Sequence, residues 1–282
     1  MKLKGLVGAI LGLSCAGFSA TSIAATQVEQ HANVAVNSAL QQALKSDFRK
    51  KANSQRDGFR HPGETLSFFG VTPEKTVIEL WPGGGWYAEI LAPYLAKKGQ
   101  YIAANFETKP TEDNGRTRYY AKAGKKFEKW VEDNPAQLKK VGFATLNPPV
   151  KTQLGKDNSA DVVLTFRNLH NWEMSGNLEP VFKGAYAVLK TGGVFGVVEH
   201  RANPGMPAKS GYMDPAMVIK LAEKVGFVLA ESSEINANPK DTKDYPKGVW
   251  TLPPRLAMDD VDKAKYQAIG ESDRMTLKFV KK

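Results

Sequence analysis

The chain has 282 residues, carries 39 Lys and Arg against 29 Asp and Glu for a formal charge of +10, and contains a single cysteine. That length is enough to bury one extensive apolar core, and a lone cysteine excludes a disulfide framework and a thiolate metal centre. The positive excess favours anionic surroundings such as an acidic envelope surface. The basic residues nevertheless fall in scattered pairs (Lys97 and Lys98, Lys125 and Lys126, Lys139 and Lys140), not in a block interleaved with aromatics, so nucleic acid is not an expected partner.

In chain order, Lys2 and Lys4 precede an apolar run through Leu6, Val7, Ile10, Leu11 and Leu13, then small residues up to Ala25. This is the layout of a secretory signal peptide, and it predicts removal of residues 1–25 and export, most simply to a periplasm. Residues 26–58 read as an N-terminal helical extension. Val36, Ala39, Leu40, Ala43, Leu44 and Phe48 stand near helical spacing over Val34 to Ala52, as in a helix packed on the main domain or a lid over it. Residues 59–282 read as one domain. Pro62 opens a short helix that Gly70 ends, and a strand follows from Thr76 to Leu80. Thereafter strand-like runs at Tyr101 to Phe106, Ala160 to Phe166, Val194 to Glu199 and Phe227 to Ser233 alternate with helical ones at Tyr87 to Lys97, Thr117 to Glu132, Asn177 to Leu189 and Asp214 to Val225. A last short strand runs from Met275 to Val280. Such alternation predicts an α/β fold, a parallel sheet covered by helices on both faces. Two long loops interrupt it, Gly205 to Gly211 and Asn236 to Leu256; the second holds Trp250 and Leu252 and suits a cover over a pocket.

The stretch VIELWPGGGWYAEIL, Val77 to Leu91, joins an apolar strand with an acidic residue to a three-glycine turn and a helix. Glycine at such a turn admits positive φ and lets a ligand approach where a Cβ would clash, while the helix start offers unpaired N–H groups. Gly83, Gly84 and Gly85 are therefore candidate ligand-floor residues. The spacing differs from the G-x-G-x-x-G dinucleotide fingerprint.

With these residues the chain resembles the class I, Rossmann-like S-adenosylmethionine-dependent methyltransferases, and in its WPGGGWY turn a group of exported, predicted methyltransferases. The resemblance runs from about Phe59 to the end. It implies a doubly wound sheet, mostly parallel with an antiparallel C-terminal strand, with S-adenosylmethionine as cofactor and a small molecule as methyl acceptor. Glu79 matches the family's acidic position, and Gly83 and Gly85 match its last two glycines, whereas Trp81 and Pro82 replace the first glycine and its neighbour. For the ribose-binding acid after the second strand, Asn105 stands in register and Glu107 follows two residues later; both remain candidates. No residue matches the adenine-contacting acid. The ADVVLTFRNLHNW segment matches the fourth strand and leads into Asn168, His170 and Trp172 at the carboxyl edge of the sheet, where open α/β sheets bind ligands. His170 is a candidate for orienting or deprotonating the acceptor. His200, after the fifth strand with Glu199 and Arg201, and Tyr212 are further candidates for the acceptor pocket; Arg60, His61 and Glu64 could close over it. No metal site is expected. A non-catalytic ligand-binding or envelope-interaction protein on the same scaffold is the alternative, since a fold does not fix a function.

Overall fold

The structure is a computed structural model and describes Met1 and residues 36–282. The signal-peptide reading of residues 1–25 and the start of the 26–58 extension lie outside the described residues. Seven strands form one sheet: β1 (Thr76–Leu80), β2 (Gln100–Asn105), β3 (Gly142–Thr145), β4 (Ala160–Phe166), β5 (Leu189–His200), β6 (Phe227–Ser233) and β7 (Arg274–Lys281), in the order β3-β2-β1-β4-β5-β7-β6. Every pairing is parallel except those of β7, which runs antiparallel to both β5 and β6. Among the described residues the helices are α1 (Ser38–Leu44), α2 (Lys51–Ser54), α3 (Asp57–Arg60), α4 (Pro62–Phe68), α5 (Ala88–Leu95), α6 (Gly115–Glu132), α7 (Pro135–Leu138), α8 (Leu169–Glu173), α9 (Leu178–Val188), α10 (Pro215–Val225) and α11 (Lys263–Ile269). None is long and apolar enough to cross a membrane.

The central strands are apolar on both faces because both are covered. Successive side chains of a strand point to opposite faces, and this divides the core in two. Ile78, Val163 and Val197 join Trp172 of α8, Phe182 of α9 and Val218 of α10. Val77, Val162, Leu164 and Val198 join Leu40 of α1, Leu66 of α4 and Ile90 of α5. The chain leaves β1 towards β2 and β3, then returns to place β4 on the other side of β1. At such a reversal the carboxyl ends of the strands open a crevice suited to a ligand.

Three local readings differ from the sequence expectation. The helix expected over Val34 to Ala52 is broken between α1 and α2. Ser46 accepts the N–H of Phe48, and the Arg49 guanidinium donates to the Leu44 carbonyl at 3.0 Å while pairing with Asp57 at 2.6 Å, so side chains take over the groups that a continuous helix would bond internally. Strand β3 was not anticipated: it is four residues long and only half-covered. Finally, β5 begins at Leu189 and not at the expected Val194, with pairing that jumps from Ala160↔Leu189 to Val162↔Val194.

Candidate functional site

After β1 the chain turns at once. The Trp81 N–H donates to the Ala104 carbonyl at 2.9 Å, and the Gly85 N–H closes on the Pro82 carbonyl at 3.0 Å. A Cβ at Gly83 or Gly84 would meet nothing within 4 Å, and both glycines line a cavity of about 640 Å³. Gly83 has φ 58°, which glycine adopts without strain. Gly85 is placed differently: a Cβ there would come within 2.8 Å of the Trp130 ring, so this glycine packs against α6 and is not part of the cavity floor.

Trp81 holds φ 48°, a costly conformation for a residue with a Cβ. Its surroundings fix it there. The indole N–H donates to the Leu146 carbonyl at 2.9 Å, and the ring meets Phe106, Tyr120 and Trp172 at centroid distances of 4.7, 4.9 and 5.1 Å. Trp81, Phe106 and Tyr120 form an aromatic wall, with the 640 Å³ cavity on one side and a second cavity of about 450 Å³ on the other.

The ends of β4 and β5 supply the polar groups. Asn168 donates from Nδ2 to the Leu80 carbonyl at 3.0 Å, tying β4 to β1 where both face the cavity. His170 follows on α8, buried but lining the cavity. Its Nδ1 lies 3.2 Å from Glu199, and its Nε2 lies 3.1 Å from the Asn171 amide nitrogen. A carboxylate accepts and an amide nitrogen donates, so the proton belongs on Nδ1 and Nε2 carries the lone pair, which accepts from Asn171. Glu199 also accepts the backbone N–H groups of Leu169 at 2.6 Å and His200 at 2.8 Å, which fixes it at the end of β5. His200 lines the cavity with Nδ1 against the Ser272 hydroxyl; burial, and then the neighbouring His170 and three arginines, hold it well below the usual histidine range and therefore neutral. His170, Glu199 and His200 offer ligand atoms within 4.8 Å of one another. Both Glu199 oxygens already accept N–H groups, so hydrogen bonding accounts for the cluster.

A third group was not read from the sequence. Arg167, at the end of β4, holds φ 61° and donates its N–H to the Val198 carbonyl at 2.7 Å. Its guanidinium lines the cavity and has no hydrogen-bond or ion-pair partner among the described residues. Burial, then Arg274, push its pKa down to about 10. Glu271, just before β7, is bonded by Arg56 at 2.6 Å and Arg60 at 3.0 Å, and by Arg274. Burial alone would raise this carboxyl, but Arg274, Arg60, Arg167 and Arg56 outweigh it and hold it at about 2. Arg60 also stacks over Trp86 at 4.7 Å. The segment Val249, Trp250, Leu252 to Arg255 covers this side of the cavity, as the sequence suggested for the long loop.

The remaining sequence candidates lie elsewhere. Glu79 is buried in β1 and accepts from the Tyr101 hydroxyl at 2.6 Å; burial raises it to about 7 against the opposing effects of Tyr101 and Arg167. Asn105 is buried and donates to the Gly124 carbonyl at 3.1 Å, with Oδ1 unpartnered. Glu107 faces the 450 Å³ cavity and pairs with Lys151. Tyr212 is fully buried outside the cavity lining, its hydroxyl donating to Asp241 at 3.0 Å. Arg60, which the sequence suggested could close over the pocket, is buried and pairs with Glu271. A charged residue directly following a core strand was the available sign of Arg167, but alone it reads as a solvated charge.

No family model matches the chain, and no curated protein does. Solved structures do match. The [4+2]-cyclase SpnF superposes with a TM-score of 0.53 at 14% identity, over 84% of this chain and 85% of its own. A candidate sarcosine dimethylglycine methyltransferase from Galdieria sulphuraria gives 0.50 at 15%, over 83% and 91%. A SAM dependent methyltransferase from Aquifex aeolicus gives 0.48 at 17%, over 64% and 87%. The first two likenesses, at these identities, establish the fold alone, which is the Rossmann-like methyltransferase fold with mostly parallel strands and an antiparallel C-terminal strand.

Proposed function

We propose that the protein binds S-adenosylmethionine and transfers its methyl group to a small molecule. The observation that carries this reading is one cavity in which an open glycine floor, Gly83 and Gly84, faces Asn168 and His170 at the reversal point of the sheet. Its volume of about 640 Å³ lies within the usual range for small-molecule sites, roughly 300–1,000 Å³. The residues fit the cofactor: the glycines leave free the space that a Cβ would fill, and Trp81, Phe106 and Tyr120 offer aromatic faces to a purine. Glu107, across the aromatic wall, and the unpartnered Oδ1 of Asn105 remain the two candidates for the ribose hydroxyls.

When bound, the cofactor supplies an electrophilic methyl on its sulfonium. The protein's share is position and proton control. Asn168 fixes the cavity edge. His170 offers Nε2 as base once an acceptor displaces the Asn171 amide, and Glu199, holding Nδ1–H, orients the ring and stabilises its charged form. Val249 to Arg255 exclude water.

Calorimetric titration of the protein with S-adenosylmethionine and S-adenosylhomocysteine tests the reading. Saturable binding of both is expected, and absence of both would end it. One observation favours a non-catalytic ligand-binding protein instead: the wall built on Trp81 separates the glycine turn from Glu107. Donor binding without turnover on a broad acceptor panel would select that alternative. The same reading includes export, supported by the Lys-flanked apolar run and small residues of positions 1–25.

A further inference from the structure

The charges of the 640 Å³ cavity are one-sided. Lys50, Lys126, Arg167, Arg255 and Arg274 line it against the single carboxylate of Glu271. That carboxylate is already spent: Oε1 takes Arg56, and Oε2 takes Arg60 and Arg274. Arg167 therefore stands beside a saturated ion cluster without an ion-pair partner of its own among the described residues, on backbone held in a left-handed conformation. Burial is the main cause that lowers Arg60 and Arg167, but each also feels its strongest arginine neighbour more than it feels Glu271, in keeping with the excess of cationic side chains around the cavity. S-adenosylmethionine cannot supply the balance, since its sulfonium, ammonium and single carboxylate leave it positive. Like charges brought together out of water repel strongly, so the cavity with the cofactor alone is poorly matched.

We propose that the second ligand of this cavity is a small molecule carrying a dianionic group of the phosphomonoester class, gripped by Arg167 with Arg255 and Arg274 beside it. A guanidinium fork matches the oxygens of a phosphate in a paired geometry, and it stays charged where a buried lysine would lose its proton. The aromatic wall and Trp250 then face the organic part. That this ligand is the methyl acceptor rests on the methyl-transfer reading; that it binds does not.

Calorimetry on the full chain near pH 8, at matched ionic strength in chloride, compares inorganic phosphate, phenyl phosphate and acetate. Phosphate is expected to bind saturably and about tenfold or more tighter than the monoanion acetate, and phenyl phosphate tighter still. Arg167→Met should weaken phosphate about tenfold or more with an unchanged circular dichroism spectrum, while Lys122→Met, on the exposed side of α6, should not. Should Arg167→Met fail to fold, Arg167→Gly, which suits the left-handed backbone, carries the same expectation. Phosphate binding no tighter than acetate, or equal losses in Arg167→Met and Lys122→Met, overturns the site. Equal binding of phosphate and phenyl phosphate overturns the monoester assignment. S-adenosylmethionine titrated into the same preparation separates the two readings. Phosphate bound without it supports the anion site and removes methyl transfer, whereas the cofactor bound without phosphate removes this inference alone.

Discussion

In the cavity His170 presents Nε2 because Glu199 claims Nδ1, and Glu199 is itself fixed by two backbone N–H groups. His170→Ala is expected to lower methyl transfer by about 10²-fold or more with little change in cofactor affinity, read from steady-state rates beside calorimetry. Unchanged turnover would remove His170 from the chemistry without removing the activity. At the glycine turn Gly84→Val is the informative substitution, because Gly83 and Gly85 both hold positive φ and a β-branched residue there would strain the backbone. Gly84→Val should abolish cofactor binding while the circular dichroism spectrum is retained; a folded variant that binds normally would show that the turn is not the floor. Glu79 carries a pH signature. Its folded pKa of about 7 exceeds the unfolded value near 4.3, so the folded state binds the extra proton between them and stability falls as pH rises through that window. Glu79→Gln should therefore gain about 2–4 kcal/mol relative to the parent at pH 8 and little at pH 4, measured by denaturant unfolding. Asn168 and His170 were legible as residues at the sheet's carboxyl edge, where the cavity opens, because a strand end is legible. Arg167, one position earlier, was not, since only the folded cavity shows that its charge lacks a counter-ion.

At the scale of elements, the two long loops interlock. Gly211, with φ 82°, lies where a Cβ would come 2.3 Å from Cγ1 of Val249, and Gly248 lies as close to the Ser210 carbonyl. Gly211→Ala should displace the covering segment, cost about 1–3 kcal/mol of stability, and weaken ligand binding, as followed by unfolding and calorimetry on one preparation. Full retention of both would show that the segment is not held at that point. The pairing of these loops was not legible, because it depends on two glycines nearly forty residues apart in sequence. The central strands were legible for the opposite reason: β1 and β4 have the expected limits, as short runs rich in apolar and β-branched residues specify themselves locally. β3 escaped because four half-covered residues carry no period, and the N-terminal helix was over-extended because the Arg49 bonds that break it reach Asp57.

For the whole molecule, the doubly wound architecture followed from alternation of strand and helix, and the antiparallel last strand followed from the family resemblance. Export is the expectation that stands apart from the fold. N-terminal sequencing of the mature protein should find a start after Ala24 or Ala25, and an intact Met1 would refute it. The position of β7 has a consequence for how such a chain is made. β7 comes last in sequence but lies between β5 and β6, and the Glu271 that neutralises Arg56 and Arg60 follows them by 215 and 211 residues. A chain emerging N-terminus first, from a ribosome or a translocation pore, shows those two arginines long before their carboxylate arrives. Until then β5 and β6 each present an unpaired edge, the kind of surface that invites pairing with the wrong chain. The cavity thus closes only once Glu271 and β7 have been made, and a nascent chain stalled before Glu271 has neither a joined sheet nor a site in which a ligand could rescue it.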